Sequence, residues 1–140
     1  MSAESVARLS LPVGDRDHSQ GALDAPVTFV EYGDYECPHC LQAHSIVKEI
    51  QERLGDRFRY VYRHFPLRMH HPHAEHAAEA AEAAGAQGKF WEMHDALFEH
   101  QGSLSDGRLV EYAAELGLDV ERFKRDLEGH HFAEHVHEDF

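Results

Sequence analysis

Residues 27–32 read Val27-Thr28-Phe29-Val30-Glu31-Tyr32, an apolar, β-branched and aromatic run with little alternation of polar positions. Such a run predicts a strand covered on both faces. It breaks at Gly33, and after Pro38 the period changes: Leu41, Ala43, Ile46, Val47, Ile50 and Leu54 recur at helical spacing, with Gly55 as the stop. A second strand is predicted over residues 58–63, where Phe58, Tyr60, Val61 and Tyr62 dominate. A strand–helix–strand unit of this length forms a right-handed crossover with parallel strands, which puts the helix start at the C-terminal end of the sheet, where open α/β sheets carry their sites.

After Pro66 the pattern is helical throughout. Ala74, Ala77, Ala78, Ala81 and Ala84 form a small-residue stripe suited to close packing, ended by Gly85 and Gly88. Residues 90–100 present Phe90, Trp91, Met93, Leu97 and Phe98; Ser105-Asp106-Gly107 opens a helix with Leu109, Val110, Ala113 and Leu116; residues 119–128 add Val120, Phe123 and Leu127. These aromatic residues read most simply as core. Ahead of the first strand, residues 1–21 are polar, with Pro12, Gly14 and Gly21, and form an extended arm in which Leu9-Ser10-Leu11 is the candidate edge strand. No repeat or linker divides residues 22–140, so one α/β domain is expected, a strand–helix–strand unit over 22–66 and a helical insertion over 67–140.

A chain of 140 residues, 42% hydrophobic, suits one domain with an ordinary core. Thirteen basic against twenty-six acidic residues give a net charge of −13, which repels phosphate backbones and acidic membrane surfaces and excludes nucleic acid as a partner. No apolar run approaches the roughly 18 residues of a membrane span, and residues 1–14 lack the basic and apolar regions of an export signal. A cytoplasmic location is expected of the chain as given, and a periplasmic or other extracytoplasmic one if a leader has been removed.

The two cysteines, in Cys37-Pro38-His39-Cys40, stand at the predicted N-terminus of the long helix. Two cysteines so close make no disulfide framework and read as redox or metal chemistry. Unpaired N–H groups and the positive end of the helix dipole favour a thiolate at Cys37, while Cys40, one turn on, is placed to attack a mixed disulfide formed there. Such a dithiol/disulfide couple needs no cofactor. Pro38 has φ preset for a first helical turn and loses no hydrogen bond there, and His39, when protonated, adds to the stabilisation of the thiolate. Asp34 and Glu36 oppose it as nearby negative charges. Glu31 interrupts an apolar strand, so it either carries a raised pKa from burial or turns to solvent at the strand end.

The Cys-Pro-His-Cys motif after a Glu-containing strand resembles the DsbA-like thiol:disulfide oxidoreductases of the thioredoxin superfamily. The likeness extends to Phe58-Arg59-Tyr60-Val61-Tyr62-Arg63-His64-Phe65-Pro66, His71-Pro72-His73-Ala74, Gly88-Lys89-Phe90-Trp91-Glu92-Met93-His94-Asp95-Ala96-Leu97-Phe98 and Leu116-Gly117-Leu118-Asp119, and covers roughly residues 16–140. It includes the small DsbA-like domains fused behind sodium/proton antiporters. The resemblance implies a thioredoxin-like fold with a helical insertion after the second core strand. It also implies exchange with protein thiols and disulfides, a redox partner protein, and a role for Glu31 beneath the site in taking a proton from Cys40. Oxidase and reductase directions both stay open, since flow depends on compartment and partner.

The family continues with a cis-proline loop, two strands and a last helix, yet no proline follows Pro72. Phe140 is therefore expected to be a truncation or an end of order, not a natural C-terminus. The strand over 27–32 would then keep an unpaired edge through which two copies can dimerise, and substrate binding beside the loop falls in doubt. Two other classes stand beside the oxidoreductase. One is a silent thioredoxin-like interaction module. The other is a metal module, since fourteen histidines include His70, His71, His73 and His76 before a helix and His130, His131, His135 and His137 near the end. In that reading His131 and His135 share a helix face and Cys37 with Cys40 completes a four-ligand zinc site.

Overall fold

The structure, a computed structural model, describes residues 8–67 and 69–140; the first seven residues of the expected arm lie outside it. The elements in order are β1 (His18–Gln20), β2 (Val27–Gly33), α1 (Pro38–Leu54), a 3-10 turn (Gly55–Arg57), β3 (Phe58–His64), α2 (Ala74–Gly85), α3 (Phe90–Glu99), α4 (Asp106–Glu115), α5 (Val120–Glu128) and α6 (Ala133–Glu138). The expected mixed α/β architecture with a helical insertion is what is found, and the bounds of α1 and β3 follow the apolar pattern closely. Gly55 ends α1 with φ 51°, a conformation that costs an L side chain energy and glycine little.

The strand order is β1-β3-β2, with β2 parallel to β3 and β1 antiparallel to it. Register pairs Val27 with Phe58 and Gly33 with His64, so β2 and β3 end level, and the turn into α1 lies beside the exit of β3. β3 is buried almost along its length. β2 has the unpaired edge expected of it, since strand order places no neighbour beyond it among the described residues, but it is not covered on both faces: Val27, Phe29 and Tyr32 are each 40% exposed or more. Ile46 of α1 is likewise exposed, while Val47 is buried.

The edge strand of the arm lies at His18–Gln20, not at residues 9–11. What fixes it is a side-chain contact that local periodicity does not show. Arg63 of β3 donates from Nε and Nη2 to the two carboxylate oxygens of Asp17 at 2.8 and 2.9 Å, from Nη1 to Tyr32 Oη, and from Nη2 to the Pro12 carbonyl. Burial pushes the Asp17 carboxyl up, but the Arg63 hydrogen bonds and charge outweigh it and hold the group below its usual value.

α2 is the most enclosed helix. Ala77, Ala78, Ala80, Ala81, Ala83 and Ala84 are all buried, and their small side chains let α3, α4, α5 and α6 all contact α2. Met93, Leu97 and Phe98 of α3 and Leu109 and Ala113 of α4 fill the same core. Asp119 caps α5 by accepting the Arg122 N–H at 3.1 Å. Among the described residues no helix is long and apolar enough to cross a membrane.

Asp17→Ala leaves the Arg63 guanidinium, 1% exposed, without its charge partner. It is expected to cost about 3 kcal/mol in urea unfolding at neutral pH, and a loss under about 1 kcal/mol would show that Arg63 finds water. Because the folded-state pKa of Asp17 is depressed, its contribution is present above the usual carboxylate range and fades as pH falls through the lowered value. Gly33→Ala brings a Cβ to 2.4 Å from the buried Tyr62 ring. The expected loss is about 1–3 kcal/mol in the same measurement.

Candidate active site

The chain leaves β2 at Gly33 and turns at once. The Cys37 N–H donates to the Asp34 carbonyl at 3.1 Å, the Glu36 N–H donates to Asp34 Oδ1 at 2.7 Å, and Cys37 becomes the N-cap of α1. Pro38 follows in the first turn, and the Cys37 carbonyl accepts the N–H groups of Cys40 and Leu41 at 3.0 and 3.1 Å. No side chain caps this helix and no acidic residue lies in its first turn, so its positive end is uncompensated at Cys37. Both cysteines are free and half-buried, whereas Pro38 and His39 are exposed.

Asp34 is buried and holds the turn against the rest of the molecule. Its Oδ2 accepts the Leu67 N–H at 2.8 Å and sits 2.7 Å from His71 Nδ1. Glu36 accepts the His73 N–H at 2.6 Å, ahead of α2. Asp34 and Glu36, which as bare charges would oppose a thiolate, are both occupied by N–H donors. Gln101, which sequence reasoning missed, donates from Nε2 to the carbonyls of Cys37 (2.8 Å) and Tyr35 (3.1 Å). Nothing local marks a glutamine 64 residues away as a clamp on the cysteine turn.

Beneath the turn lies an aromatic floor. The Tyr35 ring is 5.3 Å from Tyr62 and 4.8 Å from Phe98, centroid to centroid. Tyr35 Oη lies 2.8 Å from His94 Nδ1. Burial, then the charge of Glu82, pushes the Tyr35 pKa well up, while burial, then His44, pushes that of His94 well down. The phenol thus keeps its proton and donates to a neutral imidazole, a satisfied core pair.

The thiols differ. Cys40 packs against the core and its pKa is pushed up to about 12, first by burial, then by the charge of and hydrogen bond with Cys37 and by the charge of Glu31, against a backbone hydrogen bond from Asp34. Glu31 is half-buried on β2, where Tyr60 Oη donates to its Oε1 at 2.6 Å. Burial raises its pKa and the Tyr60 bond only partly offsets this. The structure therefore brings Cys37 and Glu31 each into electrostatic reach of Cys40.

It does not bring the suggested zinc ligands together. His131 Nδ1 pairs with Asp126 at 2.7 Å and lies ahead of α6, while His135 faces Glu82 at 3.4 Å. Neither cysteine belongs to a group with metal-ligand spacing among the described residues. Of the histidines expected ahead of the alanine-rich helix, His71 holds Asp34, while His76 lies inside α2 and sits 2.7 Å from Asp106 Oδ1.

A family model described as thioredoxin matches residues 14–140. The chain is 51% identical over 138 residues to the Na(+)/H(+) antiporter NhaA 1 of Salinispora arenicola, a match covering 98% of this chain but only 21% of the relative. It thus spans about a fifth of the length of that protein. Among solved structures, a thioredoxin-like oxidoreductase from Silicibacter pomeroyi superposes with TM-score 0.79 at 32% identity, over 90% of this chain and 71% of that one. Oxidised BdbD from Bacillus subtilis gives 0.78 at 30%, over 89% and 72%. With its cysteine turn at the head of α1, a parallel strand beside it and the helical layer above, the chain belongs to the thioredoxin family, among its DsbA-like members.

Proposed function

We propose that this chain is a thiol–disulfide oxidoreductase that oxidises protein dithiols, with Cys37 as the exchanging sulfur and Cys40 as its internal partner. The observation that carries the reading is the asymmetry of the pair: Cys37 caps a helix whose positive end is otherwise uncompensated, and Cys40 is set back against the core. The exchange balances without a cofactor. A substrate thiolate attacks Cys37 Sγ of the protein disulfide, the Cys37–Cys40 bond breaks, and Cys40 leaves. The second substrate thiolate then attacks the substrate sulfur of the mixed disulfide and expels Cys37, so two electrons pass from substrate to protein.

Cys40, with its raised pKa, is a poor leaving group unless it gains a proton as the bond breaks, and in reverse a poor nucleophile unless it loses one. Glu31 suits that transfer, because burial brings its carboxyl closer to neutrality and its charge is felt at Cys40. The unfilled amides at the start of α1, in a turn held by Pro38 with His39 exposed beside it, favour negative charge on Cys37. That lowers the energy of the reduced form and makes the couple an oxidant. A protein substrate fits the surface beside the turn, where Phe65, Leu67, Met69 and Phe140 stay exposed around a shallow cavity of about 290 Å³. The Phe65 N–H bonds Gly33 O and the Leu67 N–H bonds Asp34, so this apolar loop is anchored to the cysteine turn.

Cys37→Ala is expected to abolish oxidation of a reduced protein, while Cys40→Ala accumulates mixed disulfides at Cys37 visible by non-reducing mass spectrometry; a fully active Cys37→Ala variant would remove the mechanism. Equilibration with glutathione fixes the direction. A potential above about −180 mV agrees with the oxidase, whereas one near −270 mV assigns reduction instead. Glu31→Gln should slow Cys40 attack on a Cys37 mixed disulfide by about tenfold or more. In the parent protein that rate rises with pH as Glu31 ionises, at an inflection above the usual carboxylate value; in the variant the inflection is absent.

A further inference from the structure

Glu82 lies buried in α2, away from the cysteines in sequence, and three imidazoles from other elements converge on it. Its Oε2 is 2.8 Å from His18 Nε2 of β1 and 2.8 Å from His64 Nε2 of β3, and its Oε1 is 3.4 Å from His135 Nε2 of α6. His18, Glu82 and His135 each offer a ligand atom within 4.8 Å of the other two. A tetrahedral zinc with bonds of about 2.0–2.1 Å sets its ligand atoms about 3.3 Å apart; His18 reaches Glu82 through Oε2 at 2.8 Å and His135 through Oε1 at 3.4 Å, so small adjustments of the carboxylate bring one oxygen to both imidazoles at that spacing.

The ligand-bearing groups are already oriented. Phe90 stacks on the His18 ring at 3.6 Å and 7°, and Arg16 donates to the His135 carbonyl at 3.2 Å. His64 plays a different part. Its Nδ1 is buried without a partner, whereas an imidazole bound to a metal passes its other N–H to an acceptor; His64 instead suits donation from Nε2 to the carboxylate, which fixes Glu82. Burial pushes the Glu82 carboxyl up, but the His18 and His64 hydrogen bonds prevail and hold it well below the usual range.

We propose that His18, Glu82 and His135 form a binding site for a divalent transition-metal ion of the zinc class, a two-histidine, one-carboxylate set with a further position facing solvent. The side chains of His18 and His135 are 25% and 27% exposed, so an ion reaches them from outside, while Glu82 and His64 close the inner side. Bound there, the ion clips β1 and α6 to α2, joining the two ends of the described chain to its most buried helix. Neither cysteine takes part, which separates this site from the thiol chemistry.

The test is a zinc chloride titration of the full chain by isothermal titration calorimetry, after dialysis against chelator and with both thiols alkylated so that they bind no metal. One zinc per chain and a raised melting temperature are expected. His18→Gln and His135→Gln, which retain a hydrogen-bond donor for Glu82, should each weaken binding at least about tenfold. His76→Gln and His130→Gln, which lie at another cluster with Glu79, should leave it unchanged. No stoichiometric binding, or unaltered affinity in the first two variants, overturns the site. If either variant unfolds, cobalt bound to the alkylated chain carrying His76→Gln and His130→Gln, which removes the other histidine–glutamate cluster, decides the matter: intense visible d–d bands support nitrogen and oxygen coordination of low coordination number, and no binding or a weak six-coordinate spectrum overturns it.

Discussion

The carboxylate of Asp34 joins the two halves of the site. One oxygen accepts the Glu36 N–H and closes the turn that leads to Cys37; the other accepts the Leu67 N–H and meets His71 Nδ1. A buried carboxylate is costly unless donors surround it, and here the donors come from both sides of the parallel β2–β3 pair. The start of α1 is thereby held against the loop that leaves β3. Gln101, reaching back from beyond α3, fastens the same turn through two carbonyls.

From that fixed turn the difference between the cysteines follows. The N-cap position gives Cys37 the open end of a helix dipole, while one turn of helix carries Cys40 back onto the core. Low dielectric around Cys40, Glu31 and Tyr60 favours their neutral forms. The aromatic floor of Tyr35, Tyr62, His94 and Phe98 is packed ring against ring, with Tyr35 and His94 hydrogen-bonded to each other, and supplies rigidity.

Local pattern revealed most of the secondary structure. The spacing of Leu41, Val47, Ile50 and Leu54, the Cys-Pro start and the Gly55 stop gave α1 its bounds, and the alanine stripe gave α2 its face. What pattern missed depends on contacts distant in sequence. The edge strand sits at His18–Gln20 because Arg63 grips Asp17, a contact no run of residues encodes; the open edge of β2 was legible from the absence of further strand patterns after β3, but the exposure of its apolar side chains was not. The cysteine motif was visible at once; Asp34 as a junction, Gln101 as a clamp and the three imidazoles about Glu82 were not, since each is assembled from separate elements. α6 was not delimited, its His-rich stretch being too short to show a period.

The two sulfurs are unequal by position. Alkylation of the reduced protein near pH 6, followed by peptide mapping over time, measures that inequality most directly. The account predicts that label enters Cys37 at least about tenfold faster than Cys40, with Cys40 reacting only slowly even at pH 8. Equal, slow labelling of both residues would contradict it.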